Sequence, residues 1–107
     1  MSSDESNKML INKNQIMPIY IIEREVPGVE KLKGRDRQAA AQKSVRALRD
    51  IGPEIQWVHS YVSNDKTHCV YVSDNEDLII DHAKRSGFPA NKITKIEYLL
   101  NPVDAEG

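Results

Sequence analysis

Residues 55–72, IQWVHSYVSNDKTHCVYV, decide the fold of this chain. Both halves of the stretch are rich in β-branched and aromatic residues, and the polar run SND separates them, which predicts a β-hairpin. Side chains of a strand alternate between two faces. We expect the face that carries the valines to lie over the core. It comprises Val58, Ser60, Val62, His68, Val70 and Val72.

The opposite face of the predicted hairpin has an unusual composition. It comprises Trp57, His59, Tyr61, Thr67, Cys69 and Tyr71. An ordinary solvent-facing strand surface would carry mostly Lys, Glu and Thr, whereas this one gathers an indole, an imidazole, two phenols and a thiol. The composition indicates a surface that binds a ligand or pairs with another subunit.

Four further elements are predicted around the hairpin. Residues 16–24 and 92–100 have strand composition, and residues 36–50 place apolar side chains at helical spacing. A second helix begins at the capping-box pattern SDNE, residues 73–76, and ends near residue 86, before a glycine and a proline. The predicted order is therefore β-α-β-β-α-β.

This order predicts a ferredoxin-like α+β fold: a four-stranded antiparallel sheet, strand order 4-1-3-2, with two helices on one face. The other face is left for solvent, a ligand or a second sheet. Ile21, Trp57, Tyr61 and Tyr71 would form an apolar patch there that monomers rarely expose. We therefore expect a homodimer through the open sheet face, of the dimeric α/β barrel type.

Length and composition limit the number of domains and the classes of function that are expected. The chain has 107 residues, enough for one domain, and a formal net charge of -1 without a basic cluster, so no nucleic-acid partner is expected. We predict a flexible extension at residues 1–16, the folded domain at 17–104 and a short tail at 105–107. The absence of a long apolar run and of a secretory pattern, together with the single cysteine, favours a cytoplasmic protein without a membrane span.

The chain resembles a small bacterial nickel-binding family whose members were long catalogued as a domain of unknown function. The residues that carry the resemblance are MPIYIIER at 17–24, WVHSYV at 57–62, Asp65-Lys66, Cys69-Val70-Tyr71, His82-Ala83 and Gly87-Phe88-Pro89. The resemblance covers about residues 17–104, and family members usually begin near the position of Met17. It implies a ferredoxin-like subunit, a dimeric α/β barrel, and nickel bound at or near the subunit interface.

Three residues are candidate metal ligands. His59 is the main one, because imidazole suits divalent nickel, copper and zinc; the alternative is an interface histidine bonded to a partner backbone. Cys69 is expected on the same face of the neighbouring strand, close enough to share a chelate, or else it is a small buried hydrophobe. Glu23 would complete the site, orient His59, or pair with a lysine such as Lys95, and its face is left open by the sequence.

Four other side chains are candidates for a pocket or an interface. Trp57, Tyr61 and Tyr71 would line a pocket or pack between subunits. His82 borders the apolar stripe of the second helix, a position that favours a boundary histidine with satisfied hydrogen bonds over a functional one. His68, near the hairpin end, is expected to be solvated.

These features lead to three hypotheses. The first is a homodimer that binds a divalent transition metal, nickel in the first place, and acts as a metal-binding protein. The second is a small dimeric-barrel enzyme, of the oxygenase, isomerase or decarboxylase type, with His59 as general base and Tyr61 or Tyr71 as hydrogen-bond donor to an apolar substrate; it rests on fold analogy. The third is a dimeric module without a ligand.

Overall fold

A computed structural model describes residues 8–12 and 15–106 of the chain. In it the strands are β1 (Lys8–Asn12), β2 (Gln15–Glu25), β3 (Ile55–Ser63), β4 (Lys66–Ser73) and β5 (Lys92–Lys95). The α-helices are α1 (Gly34–Ile51) and α2 (Glu76–Ser86). Two short 3-10 turns, Val29–Lys31 and Pro102–Glu106, complete the elements.

The sheet has the predicted topology. Strands β5, β2, β4 and β3 lie side by side in that order and pair antiparallel throughout. Counted in chain order without β1, this is 4-1-3-2, so the predicted ferredoxin-like α+β fold is confirmed. Strand β1 adds to it by pairing with the beginning of β2.

The N-terminal segment differs from expectation where the structure describes it. Residues 8–12, which the sequence assigns to a flexible extension, lie in strand β1, and β2 begins at Gln15, one residue before the predicted strand. Residues 1–7 and 13–14 of that predicted extension lie outside the described residues.

The core lies between the sheet and the two helices. Alternate residues of β2 point into the core, and Ile79 of α2 packs against them from the helix side. Its buried members are Tyr20, Ile22, Ile55, Cys69, Tyr71 and Ile79. A second, smaller cluster of Met17, Ile19 and Val72 lies on the other face of the sheet, where Ile96 packs against it.

A side-chain cap and a glycine set the two ends of α2, and the capping residue differs from the predicted one. The cap of α2 is Asn75, whose side chain accepts a hydrogen bond from the Leu78 N–H at 3.1 Å. Ser73, the cap that the sequence pattern predicts, is still in β4 and donates its hydroxyl to the Asn75 carbonyl at 2.8 Å. The helix ends at Gly87, whose φ of 78° is a left-handed conformation that glycine adopts without strain.

The last strand is shorter than predicted. It ends at Lys95 rather than at residue 100, and its partners on β2 are Tyr20 to Glu23. The chain beyond it carries four exposed large hydrophobic residues, Tyr98, Leu99, Leu100 and Val103. Across the described residues, no helix is long and apolar enough to cross a membrane.

Candidate functional site

A β-bulge at Val58 decides which side chains of the hairpin share a face. Trp57 pairs with Tyr71, but His59, two residues on, pairs with Val70, so Val58 is an extra residue in the ladder. The alternation of β3 side chains between the two faces of the sheet therefore shifts by one residue after Val58. Trp57 and Ser60 both face the helices, and the Trp57 Nε1–H donates to the Ser60 hydroxyl at 2.9 Å.

The predicted assignment of faces is wrong in two respects. On β4 the helix-facing set is Thr67, Cys69 and Tyr71, while His68, Val70 and Val72 face the open side. On β3 the bulge separates His59 and Tyr61, which face the open side, from Trp57, which faces the helices. The thiol and the imidazole that were expected to share a chelate thus lie on opposite faces of the sheet.

The open face carries a polar group of side chains near the hairpin end, which we call the open-face cluster: Glu23, His59, Tyr61, His68 and Lys92. The rings of His59 and Tyr61 meet edge to face with their centroids 5.0 Å apart. Strand pairing sets Tyr61 opposite His68, and His68 opposite Glu23. Phenol, imidazole and carboxylate therefore follow one another across β3, β4 and β2.

Glu23 is the electrostatic centre of the open-face cluster. Its carboxylate oxygens lie 3.7 Å from His68 Nε2 and 3.8 Å from Lys92 Nζ. Both distances exceed hydrogen-bond length, so the Lys92 contact is a loose ion pair at a partly solvated surface, and the His68 contact places an imidazole beside the same carboxylate. The sequence left the face of Glu23 open; it shares the face of His59, and its lysine partner is Lys92 rather than Lys95.

The inner face of the sheet holds a buried polar group, which we call the inner cluster: Arg24, Ser44, Tyr71 and His82. Arg24, only 3% exposed, donates from Nη1 to the carbonyls of Phe88 at 3.3 Å and Pro89 at 2.7 Å. Its guanidinium carbon lies 5.9 Å from the centroid of the Tyr71 ring. Neither Arg24 Nη2 nor His82 Nδ1 has a hydrogen-bond partner, although both atoms are buried.

His82 lies in the core, and not at the boundary of the apolar stripe where the sequence predicts it. It is fully buried in the helix-sheet core, shares a hydrogen bond of 3.1 Å with the Ser44 hydroxyl, and packs 5.3 Å from the Tyr71 ring. Burial, with the positive charge of Arg24 second, lowers the pKa of His82 to about 4. Burial likewise raises the pKa of Tyr71. At neutral pH both rings are uncharged, and Arg24 is the charged member of the inner cluster.

A cavity of ≈ 400 Å³ opens between the inner face of the sheet and α1. Arg24, Cys69 and Tyr71 contribute to its wall, together with Trp57. Cys69 is buried there, and its sulfur lies 3.4 Å from the Thr67 hydroxyl. His59 is not part of this wall, so the geometry gives it no access as a general base to a substrate in the cavity.

Sequence reasoning overlooked two functional candidates. The sequence predicts that His68 is a solvated residue near the hairpin end, yet in the structure it is the direct neighbour of Glu23 on the open face. Arg24 could have been found from its spacing, because it follows Tyr20 and Ile22 by steps of two and so shares their buried face.

Residues 20–96 match a family model described as "Nickel responsive protein SCO4226-like". The chain belongs to this family. Among solved structures, that of SCO4226 from Streptomyces coelicolor A3(2) is similar, with a TM-score of 0.63 at 12% sequence identity, over 77% of this chain and 99% of that one. At this identity the likeness to SCO4226 establishes the common fold. No curated protein matches the chain.

Membership of the SCO4226-like family agrees with the resemblance drawn from the sequence motifs, and it indicates a nickel-related role at the level of the family name. The match begins at Tyr20 and ends at Ile96, so it contains the hairpin, both helices and all members of the open-face and inner clusters.

Proposed function

We propose that this SCO4226-like protein binds a divalent transition metal, nickel in the first place, on the open face of its sheet, and that it does so as a homodimer. The observation that carries the proposal is that Glu23, His59 and His68 share the face of the sheet opposite the helices, in a chain of a nickel-responsive family. Imidazole nitrogen and carboxylate oxygen are both suitable donors for divalent nickel.

The donor set revises the ligands expected from the sequence. Cys69 leaves it because its thiol lies in the wall of the inner cavity, and His68 enters it beside Glu23. His59 is exposed and lies diagonally across the ladder from His68, a relation in which side chains are about 7–8 Å apart at their bases. Long side chains span that separation by small rotations.

A second copy of the chain would supply the remaining ligands. The described residues of one copy contain no group of three or more His, Cys, Asp and Glu side chains that could hold a metal ion. In a two-fold dimer the same patch meets itself, so each donor of the open-face cluster would be present twice. The site is thus incomplete in one chain and would form together with the dimer.

Exposed apolar side chains support the dimer. Tyr61 on the open face is 63% exposed, and Leu99 and Leu100 beyond β5 are 60% and 76% exposed. Large apolar side chains exposed to this degree are more typical of an interface than of a free monomer. An antiparallel sheet with helices on one face offers its other face for such a contact.

Nickel titration by calorimetry tests the proposal, with the tag-free full chain and with zinc and cobalt as comparison metals. We expect nickel uptake that weakens at least tenfold in His59→Ala and in His68→Ala, because each removes an imidazole ligand, while light scattering still reports a dimer. Copper is a poor comparison, since it binds most nitrogen and oxygen sites more tightly whatever the protein.

Cys69→Ser is the matched control. It removes the only thiol from the inner face and leaves the open-face cluster untouched, so nickel uptake should match that of the wild type. Absence of nickel uptake by the wild type would refute the metal proposal. Uptake that depends on Cys69 and not on His59 would refute the open-face location.

A further inference from the structure

The inner cavity contains an uncompensated positive charge. Arg24 lines the cavity, is 3% exposed, and has no carboxylate within ion-pair distance among the residues that the structure describes. Arginine is almost never buried this deeply without a charged partner, because removing its charge from water is costly. The fold thus retains a guanidinium that has no counter-charge among the described residues around it.

The hydrogen bonds of Arg24 leave a donor for a ligand. Nη1 is engaged by the carbonyls of Phe88 and Pro89, which fixes the guanidinium against the loop after α2. Nη2 is buried without a partner. A purely structural arginine would be expected to have its donors satisfied, since a buried unsatisfied donor destabilises the fold.

The rest of the wall suits the apolar part of a small molecule. Val26, Val29, Leu32, Trp57 and Phe88 line it, and Ala40 and Ala41 keep the α1 side of the cavity open by their small size. A volume of ≈ 400 Å³ lies at the lower end of the range usual for ligand pockets. Such a space takes a compact molecule with one ring or a short branched chain.

The charges around the cavity favour an anion. Its charged lining residues are Arg24, Arg37 and Glu30, which sum to one positive charge. Glu30 is already engaged, since it accepts a hydrogen bond from the Asp65 N–H at 3.0 Å, and Arg37 donates to the Leu32 carbonyl. His82, behind Tyr71, stays neutral and adds no competing charge near Arg24.

We propose that the inner cavity binds a small organic acid, whose carboxylate pairs with the free donor of Arg24 and whose ring or branched chain fills the apolar space against α1. The site is on the opposite face of the sheet from the open-face cluster and is independent of the proposed metal. It is a binding site for a compact monocarboxylate.

Titration with 3-phenylpropanoate, and with 3-phenylpropanamide as its neutral counterpart, tests this proposal on the full chain in the presence of EDTA. Trp57 is the only tryptophan and lies in the cavity wall, so its fluorescence reports occupancy. We expect the acid to bind on the order of tenfold to a hundredfold more tightly than the amide, as a hydrogen bond to a charged group predicts.

Two variants with matched controls locate the site. Ala41→Leu fills the cavity and should abolish binding of both probes, whereas Ala39→Leu, on the exposed side of α1, should leave binding unchanged. Arg24→Met should remove the preference for the acid, and Arg24→Lys should retain part of it. If Arg24→Met does not fold, the acid-to-amide ratio in the wild type and the Ala41 and Ala39 pair still decide the question.

Equal binding of acid and amide would overturn the proposal, as would the absence of any Trp57 response to the acid at 10 mM, roughly the weakest affinity that a specific pocket would show. Unchanged binding in Ala41→Leu would overturn it too, because occupancy would then lie elsewhere. Loss of nickel uptake has no bearing on these outcomes, since EDTA is present throughout.

Discussion

The buried imidazole of His82 makes the stability of this protein depend on pH. In the folded state its pKa is lowered from 6.5 to about 4, chiefly by burial and secondly by Arg24, while the Ser44 hydrogen bond and the charge of Asp81 oppose the shift. In the unfolded chain the ring titrates near 6.5. As the pH falls, the unfolded state therefore takes up a proton before the folded state does.

The sign and the size of the effect follow from this difference. Because the folded pKa lies below the unfolded one, stability is complete above the unfolded pKa and falls as the pH drops from 6.5 toward 4. Each pH unit within that window costs about 1.4 kcal/mol, so the full loss is about 3 kcal/mol. Between pH 7.5 and pH 5 the expected loss is about 2 kcal/mol.

Urea unfolding followed by Trp57 fluorescence at pH 7.5, 6 and 5 measures this loss. The free energy of unfolding of the wild type should fall by about 2 kcal/mol more than that of His82→Gln, which has no imidazole at this position. His68→Gln is the comparison variant, because it removes an imidazole from the other face of the sheet.

Subtraction of the His82→Gln curve removes the contribution of carboxylates that titrate in the same range. Parallel curves for the wild type and His82→Gln would refute the argument, because they would mean that His82 takes up its proton equally in both states. A pKa of His82 near 6.5 in the folded protein, measured by NMR, would refute it directly.

Two substitution pairs test the packing and capping assignments. Asn75→Ala should cost about 1 kcal/mol of stability in urea unfolding, since it removes the side chain that caps α2, whereas Asp74→Ala should be nearly neutral; equal losses would contradict Asn75 as the cap. Ile79→Ala should cost about 2–5 kcal/mol, because the side chain is 1% exposed, and the neighbouring Ile80→Ala, 38% exposed, should cost clearly less; similar costs would contradict the assigned face of α2.

Element order and strand order were predictable because they depend on strong local signals. The hairpin, the alanine-rich helix and the Gly87 stop each appear in the sequence as a pattern that one physical rule interprets. The crossover rules then leave few topologies, and 4-1-3-2 is the one that forms.

The assignment of faces failed because both faces of β4 carry apolar residues. Cys69 and Tyr71 alternate with Val70 and Val72, and the structure buries members of both pairs. Which of the two faces of β4 is the inner one depends on the side of the sheet that the helices cover, and this is set by tertiary packing. No glycine or other residue typical of a bulge marks Val58 in the sequence. The placement of His59 and Trp57 on opposite faces of the sheet was therefore not predictable either.

The length of the last strand was overestimated for a similar reason. Residues 96–100 have strand composition, but the pairing with β2 stops after the Ile96 N–H, which donates to the Ile19 carbonyl at 2.9 Å. Composition predicts a capacity to pair, whereas pairing also needs a partner at the right edge.

The bulge at Val58 also affects how relatives of this chain must be aligned. At 12% identity over the matched part of the chain, few identical residues anchor a comparison with SCO4226. For a relative without the bulge, an alignment that leaves no gap at Val58 would equate every later residue of β3 with one on the other face, so that an exposed histidine is matched to an interior side chain. Superposition of the bulge itself, before any residue is matched, is therefore the sound starting point for tracing donors across the family.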